Sequence, residues 1–205
     1  MKKKFLVGLA TGLLVFGLIG MANATVLTFE DTVYATSGSG PYDLSFDEDY
    51  GGLDWSNYFG IFHAPEMGNY GYQNGTVSGD YALFNVYGTN VSVSSNNQFD
   101  WNGAWFGSVR NNSSSRVAVQ GYRDNVRIYE DTISLDWGDP QWFEANWSDI
   151  DEVRFIGSWN SDYTRFAMDN FTFNEAAPVP EPATMILFGT GLLGLAAFTR
   201  RKNKK

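Results

Sequence analysis

The side chains able to carry chemistry are few in kind. The chain has 205 residues and no cysteine, which removes disulfides, thiolate metal sites and cysteine nucleophiles. His63 is the one histidine, set between Ile61-Phe62 and Ala64-Pro65, so any Ser-His-Asp arrangement would have to use it. No nucleophile neighbours it, and a strand-end residue is the plainer reading. Carboxylates are abundant, and a pair at suitable separation can hydrolyse a glycosidic bond. With 22 acids between Thr25 and Ala177, pairs arise by chance, and no local motif selects one.

The aromatic residues are the better pointer. Trp, Tyr and Phe make up 17% of the chain. A flat ring offers a platform to the C–H face of a sugar and leaves the polar edges open for hydrogen bonds. Trp55, Tyr58, Tyr70, Tyr72, Trp137, Trp142 and Trp159 fall in or near expected loops, whereas Trp101 and Trp105 are expected to face a core. Arg116, Gln120, Arg127 and Tyr129 alternate on two adjacent expected strands and would form one polar sheet face. Of these, Trp55, Tyr58, Arg127, Tyr129 and Trp137 are the candidate ligand contacts.

These side chains must be held by strands. Short runs bounded by Gly, Asn and Ser recur at Val26 to Glu30, Tyr58 to Phe62, Tyr81 to Val86 and Val91 to Ser94. They continue at Phe99 to Val109, Arg116 to Tyr122, Val126 to Leu135, Gln141 to Trp147, Val153 to Ile156 and Arg165 to Phe173. In Phe99 to Val109 the alternation places Phe99, Trp101, Gly103 and Trp105 on one face. No amphipathic helix of useful length is visible. The expectation is an all-β fold, an antiparallel β-sandwich of jelly-roll type, over residues 25–174.

The two ends read as targeting segments. Lys2, Lys3 and Lys4 precede an apolar stretch from Phe5 to Ile19, and Ala22-Asn23-Ala24 places small residues where signal peptidase reads them. Cleavage is expected after Ala24. At the other end, residues 175–182 form a linker, residues 183–199 carry no charge, and a basic cluster from Arg200 to Lys205 follows. An uncharged run of 17 residues is near the lower limit for spanning a bilayer. The basic cluster places the C-terminus on the cytoplasmic side. Without both ends, the stretch from Thr25 to Ala177 has six arginines and no lysine against 22 acids, a formal charge of −16. Such a surface repels phosphate backbones and excludes nucleic acid as a partner.

Pro180-Glu181-Pro182, the apolar run and the terminal basic cluster resemble the PEP-CTERM sorting signal of exopolysaccharide-producing Gram-negative bacteria. The resemblance covers about the last 28 residues. It implies export, transient residence in the inner membrane, recognition of the Pro-Glu-Pro motif by an exosortase, and a mature form at the cell surface or outside the cell.

"LTFED", "YGGLDWSNYFGIF", "FDWNGAWFGS", "VAVQGYRDNVRIYE" and "FAMDNFTF" together resemble secreted jelly-roll modules of the carbohydrate-binding kind. This resemblance implies a structural Ca²⁺ joining the first and last strands through Glu30 and Asp169, with Asp31 as a helper. Ca²⁺ needs six to eight oxygens; an ion pair with arginine, or exposure, would equally account for these carboxylates. Asp47-Glu48-Asp49 has the start of a Ca²⁺ loop but lacks its closing Glu. Two function classes follow: a non-catalytic module for extracellular polysaccharide, or a structural matrix or biofilm protein without a defined ligand. A glycoside hydrolase is a third and weaker reading.

Overall fold

The computed structural model describes residues 24–32, 41–68, 71–110, 115–157 and 164–174. All of them belong to the first of two units into which the chain divides, Met1–Glu175 and Ala176–Lys205. The expected signal peptide up to Asn23, the Pro180-Glu181-Pro182 motif, the 183–199 span, Tyr70 and Trp159 lie outside the described residues.

Alternating apolar residues on short segments make strands, and their pairing is antiparallel throughout. The strands are β1 (Thr25–Leu27), β2 (Tyr42–Asp43), β3 (Asp49–Tyr50), β4 (Leu53–Trp55), β5 (Phe59–His63) and β6 (Tyr81–Asn85). They continue with β7 (Val91–Ser108), β8 (Arg116–Arg123), β9 (Val126–Ser134), β10 (Gln141–Ile156) and β11 (Phe166–Phe173). Among the described residues the only helical segments are single 3₁₀ turns.

The hydrogen-bonded order β2-β5-β6-β11-β7-β10-β8-β9 is continuous, yet it makes two layers because β7 and β10 are long and bent. The second half of β7 pairs with β11 and with the first half of β10. Its first half, Val91 to Ser94, pairs with β4 and with the second half of β10, which also pairs with β8. Each long strand thus serves both layers. The layers meet over an aromatic core: Trp55 of β4 lies edge-on to Phe171 of β11 at 5.4 Å, and Phe155 of β10 meets Phe59, Phe106 and Phe166. The all-β antiparallel sandwich expected from the sequence is the architecture observed.

The bends explain where the structure departs from the expected pattern. The two runs in β7 are one strand, and so are the two in β10. In β10, Asn146 and Asp149 have φ of 50° and 53°, beside register shifts against β7. In β7, Gly103 has φ of 152°, and a Cβ there would stand 2.1 Å from the Phe143 carbonyl oxygen. Only glycine fits so close an approach. The slip at Gly103 changes the phase of the strand: Phe99 and Trp101 are buried before it, Ala104 and Phe106 after it. Trp105 therefore lies on the outer face, against Trp142, and not in the core where alternation put it. The three short strands β2, β3 and β4 were not anticipated, because two or three residues are too few to show a period.

A second apolar cluster lies on the outer face of the β2-β5-β6-β11-β7 layer. Phe62, Ala82, Phe84, Val109 and Ala167 are buried there, with Tyr72 packed on them. The segment from Gly71 to Asp80 covers this face and carries the contacts described next.

Candidate functional site

At the margin of this second cluster the rings open into a pocket of about 350 Å³. That is within the ~300–1,000 Å³ range of small-molecule sites. Its walls are Tyr42, Tyr72, Phe84 and Tyr87, and Arg110 and Arg165 also line it. Tyr42 meets Phe84 edge-on at 6.4 Å, and Tyr72 meets Phe84 at 5.5 Å and Phe62 at 5.0 Å, so the floor is a locked aromatic cluster. Tyr42 and Tyr87 stand 52% and 42% exposed at the rim.

Each of these side chains is held by its element. Tyr87 sits in the turn Val86–Gly88 after β6 with φ of 55°, a left-handed conformation rare for an aromatic residue. The turn is tied down by buried Asn85, whose amide donates to the Thr89 and Thr164 carbonyls and whose Oδ1 accepts from Phe166 N–H. Asn85 thereby fixes the start of β11, where Arg165 lies. Buried Ser108 donates its hydroxyl to the Arg110 carbonyl at 2.7 Å. The antiparallel register Phe166↔Ser108 then brings Arg165 and Arg110 to the same end of neighbouring strands. Of the described residues lining the pocket, none is acidic.

The residues singled out from the sequence are placed differently. Trp55 is 2% exposed, packed by Phe29, Phe46, Phe59 and Phe171, with its indole N–H donated to the Tyr50 carbonyl. It is a core residue with no face to offer a ligand. Tyr58 is exposed in the turn between β4 and β5. Trp137 is half-buried, and its carbonyl accepts from the Asn74 amide. Strands β8 and β9 are neighbours, as expected, but a register shift between Gly121 and Tyr122 pairs Gly121 with Tyr129 and Tyr122 with Arg127. Arg127 and Tyr129 therefore lie on opposite faces.

Tyr129 stacks on Trp147 at 5.2 Å, with the rings 6° apart. Arg127 joins a solvated ladder: it pairs with Glu130 at 3.0 Å, Glu130 accepts from Gln120, Gln120 accepts from the Tyr122 hydroxyl, and Arg154 lies over the Tyr122 ring. The five candidates do not converge, and none lines the pocket. Of the residues that do, only Tyr72 stood among the loop aromatics. Arg110 and Arg165 carried one signal that could have been used: they are the two core arginines outside β8, β9 and β10.

His63 has its Nδ1 3.3 Å from Glu66 and its ring against Tyr81.

The three carboxylates Glu30, Asp31 and Asp169 have well-defined partners. Asp169 is fully buried, and its Oδ2 accepts the N–H groups of Val77 and Ser78, both at 2.8 Å. Its Oδ1 accepts Asn170 N–H, and the Ser78 hydroxyl lies 3.2 Å from both oxygens. Burial pushes this carboxyl up to about 6, against the pull of those hydrogen bonds. Glu30 Oε1 accepts the N–H groups of Asp80 and Tyr81 at 3.1 and 2.8 Å. Asp31 accepts the Tyr50 hydroxyl, and burial with the Asp31 charge raises the Tyr50 phenol well above its ordinary range.

The Val77–Tyr81 turn thus supplies backbone N–H donors to both Asp169 and Glu30. Among the described residues, no group of three or more His, Asp or Glu side chains is placed to hold a metal ion. Asp47 accepts Asp49 N–H at 3.4 Å in an exposed turn.

Residues 178–202 match the family model described as the PEP-CTERM protein-sorting motif. The chain thus carries the sorting signal of an exported protein. No curated protein matches the chain. Among solved structures, a Stig cyclase, Fisc from Fischerella sp. TAU, is 10% identical, covering 76% of this chain and all of its own, with a TM-score of 0.44. The C-terminal family 22 carbohydrate-binding module of Clostridium thermocellum Xyn10B is 14% identical over 67% of this chain and 93% of its own, TM-score 0.36. CBM51 from Clostridium perfringens GH95, solved with methyl-galactose, is 8% identical over 47% and 72%, TM-score 0.31.

Proposed function

We propose that the β-sandwich is a non-catalytic binding module for extracellular polysaccharide, exported with the aid of its C-terminal sorting motif and displayed at the cell surface or beyond. The observation that carries this reading is the tyrosine-walled pocket. Two exposed phenol rings stand at its rim above a locked aromatic floor, a combination that offers ring faces to sugar C–H groups and hydroxyls to sugar oxygens. An exosortase and signal peptidase are the processing partners this reading requires.

Affinity electrophoresis of the purified chain through gels containing a panel of neutral and acidic polysaccharides tests it. Retardation by at least one polymer, lost in Tyr42→Ala and Tyr87→Ala, is the expected result. Migration unaffected by every polymer would favour a structural matrix protein without a defined ligand.

A further inference from the structure

We propose that the Trp105–Trp142 pair is a second carbohydrate contact, taking a stretch of neutral polysaccharide on the same face of the sheet as the tyrosine pocket. The contact lies outside that pocket and rests on the same polysaccharide reading.

The backbone is shaped to turn one of these rings outward. Alternation from Phe99 and Trp101 would bury Trp105. The slip at Gly103 sends it to the outer face, half-buried, and gives the core positions to Ala104 and Phe106. A bulge is a device for re-aiming a side chain. The same glycine seats the second ring, because a Cβ at Gly103 would stand 2.8 Å from Trp142 Cζ2. The register places Trp105 directly opposite Trp142. Their ring centroids are 5.9 Å apart with the planes at 58°, and Trp142 is 38% exposed. The pair is an open corner of two indole rings, whereas Trp55 and Trp101 are closed in the core.

One side of the corner is walled. Trp105 pairs across to Asp169 on β11, and Asp169 lies under the Gly71–Asp80 segment, hydrogen-bonded to Val77 and Ser78. On the other side of β11, Ala167 pairs with Phe84 of the pocket floor. The two aromatic sites therefore flank one strand and its covering segment on one face, and a single polymer can touch both. Two weak contacts on one polymer reinforce each other through effective concentration.

The surroundings select the ligand. The runs that carry the rings, Phe99–Ser108 and Gln141–Ile150, have no basic residue but contain Asp100, Glu144 and Asp149. Glu144 follows Trp142 on the same face of β10, and its carboxylate accepts the Asn146 amide at 2.8 Å. Indole rings suit the apolar C–H face of a pyranose, and a carboxylate and an amide beside them suit its hydroxyls. An acidic sugar would meet like charge. A stable protein partner would need about 800 Å² on each side, far more than two rings offer.

The test is affinity electrophoresis of the purified full chain, in mild detergent, through gels containing galactomannan, hydroxyethylcellulose, dextran or polygalacturonate. At least one of the three neutral polymers is expected to retard the chain, and polygalacturonate to do so less. Trp142→Ala should weaken the retardation roughly three- to tenfold, as expected for one aromatic contact. Trp142→Phe keeps a smaller ring and should be intermediate. Glu144→Gln should narrow the gap between the neutral polymer and polygalacturonate. Circular dichroism of these variants should match the wild type, because both side chains are exposed.

Retardation abolished by Tyr42→Ala but unchanged in a folded Trp142→Ala would overturn the second contact and leave the pocket standing. Retardation weakened by Trp142→Ala and unchanged by Tyr42→Ala would support the tryptophan contact and remove the pocket from the polysaccharide reading. Polygalacturonate retarding the chain as strongly as every neutral polymer would overturn the inference. A dimer seen by size exclusion without polymer, and lost in Trp142→Ala, would assign the rings to a second copy of the chain instead. Retardation by none of the four polymers would overturn the inference, and extending that result over a broad glycan panel would remove the polysaccharide reading as well.

Discussion

Glu30 and Asp169, at opposite ends of the domain's sequence, grip the two sides of one turn. Asp169 takes the N–H groups of Val77 and Ser78, and Glu30 takes those of Asp80 and Tyr81, with Gly79 between them. The turn belongs to the segment that covers the second aromatic cluster. The two carboxylates thus join the first strand region and the last strand to the middle of the chain through hydrogen bonds.

Removing the inner grip leaves three backbone donors, the N–H groups of Val77, Ser78 and Asn170, without their acceptor. Asp169→Ala should cost about 2–4 kcal/mol, seen as a fall in Tm of roughly 5–15 °C for a domain of this size. The same melting scans, run with excess EDTA and then with millimolar Ca²⁺, should superimpose for the wild-type chain. A Ca²⁺-dependent rise that disappears in Asp169→Ala would instead assign these carboxylates a metal role.

The pH profile should carry the mark of Asp169. In the folded chain its carboxyl keeps its proton up to about 6, whereas the ordinary value is 3.8. Between those two values the native state holds more protons than the unfolded state, so stability falls as pH rises through that window and levels off above it. About two pH units of difference correspond to roughly 3 kcal/mol. Subtracting the denaturation profile of Asp169→Asn from that of the wild type should isolate this slope; parallel profiles would show that the group titrates normally.

Gly79 and Glu30 should be coupled. Gly79 has φ of 55°, and a Cβ there would lie 2.1 Å from the Glu30 carboxyl carbon. Gly79→Ala should therefore cost about 1–3 kcal/mol, from backbone strain and from pushing Glu30 off its donors. In Glu30→Ala the steric share vanishes, so the double variant should be less destabilised than the sum of the singles. Urea denaturation of the four proteins measures the difference.

Trp55 and Tyr87 should separate stability from binding. Trp55→Ala empties a site between the two layers and should cost about 3–5 kcal/mol. Tyr87→Ala should shift the melting temperature by little and act on polysaccharide retardation instead. Loss of binding in a folded Trp55 variant at low temperature would contradict this division.

Export should depend on the motif. Glu181→Ala should leave precursor in the inner membrane fraction, detected by immunoblot, in a host that releases the wild-type chain. Normal release of the variant would show that the glutamate is not read.

Sorting and fold class were legible in the residues themselves, because both rest on local patterns. Pro180-Glu181-Pro182, an apolar run and a basic end form one contiguous signal, and alternation over eight or more residues favours a strand. The placement of aromatics was not legible. Trp55 lies in a loop-like run between turn residues, and only the partnering of β4 with β7 turns it into the core. Trp105 obeys alternation until the slip at Gly103 reverses it, and that slip exists because the Phe143 carbonyl crosses there. Glu30 and Asp169 looked alike as buried acids in apolar strands; whether such acids meet a cation, an arginine or a turn of N–H groups depends on what the fold lays over them. The pocket is the extreme case. Tyr42, Tyr87, Arg110 and Arg165 come from four separated segments, and their meeting is decided by the register of β11 on β7 and of β2 on β5, which is set by packing over the whole sheet and by no local run of residues.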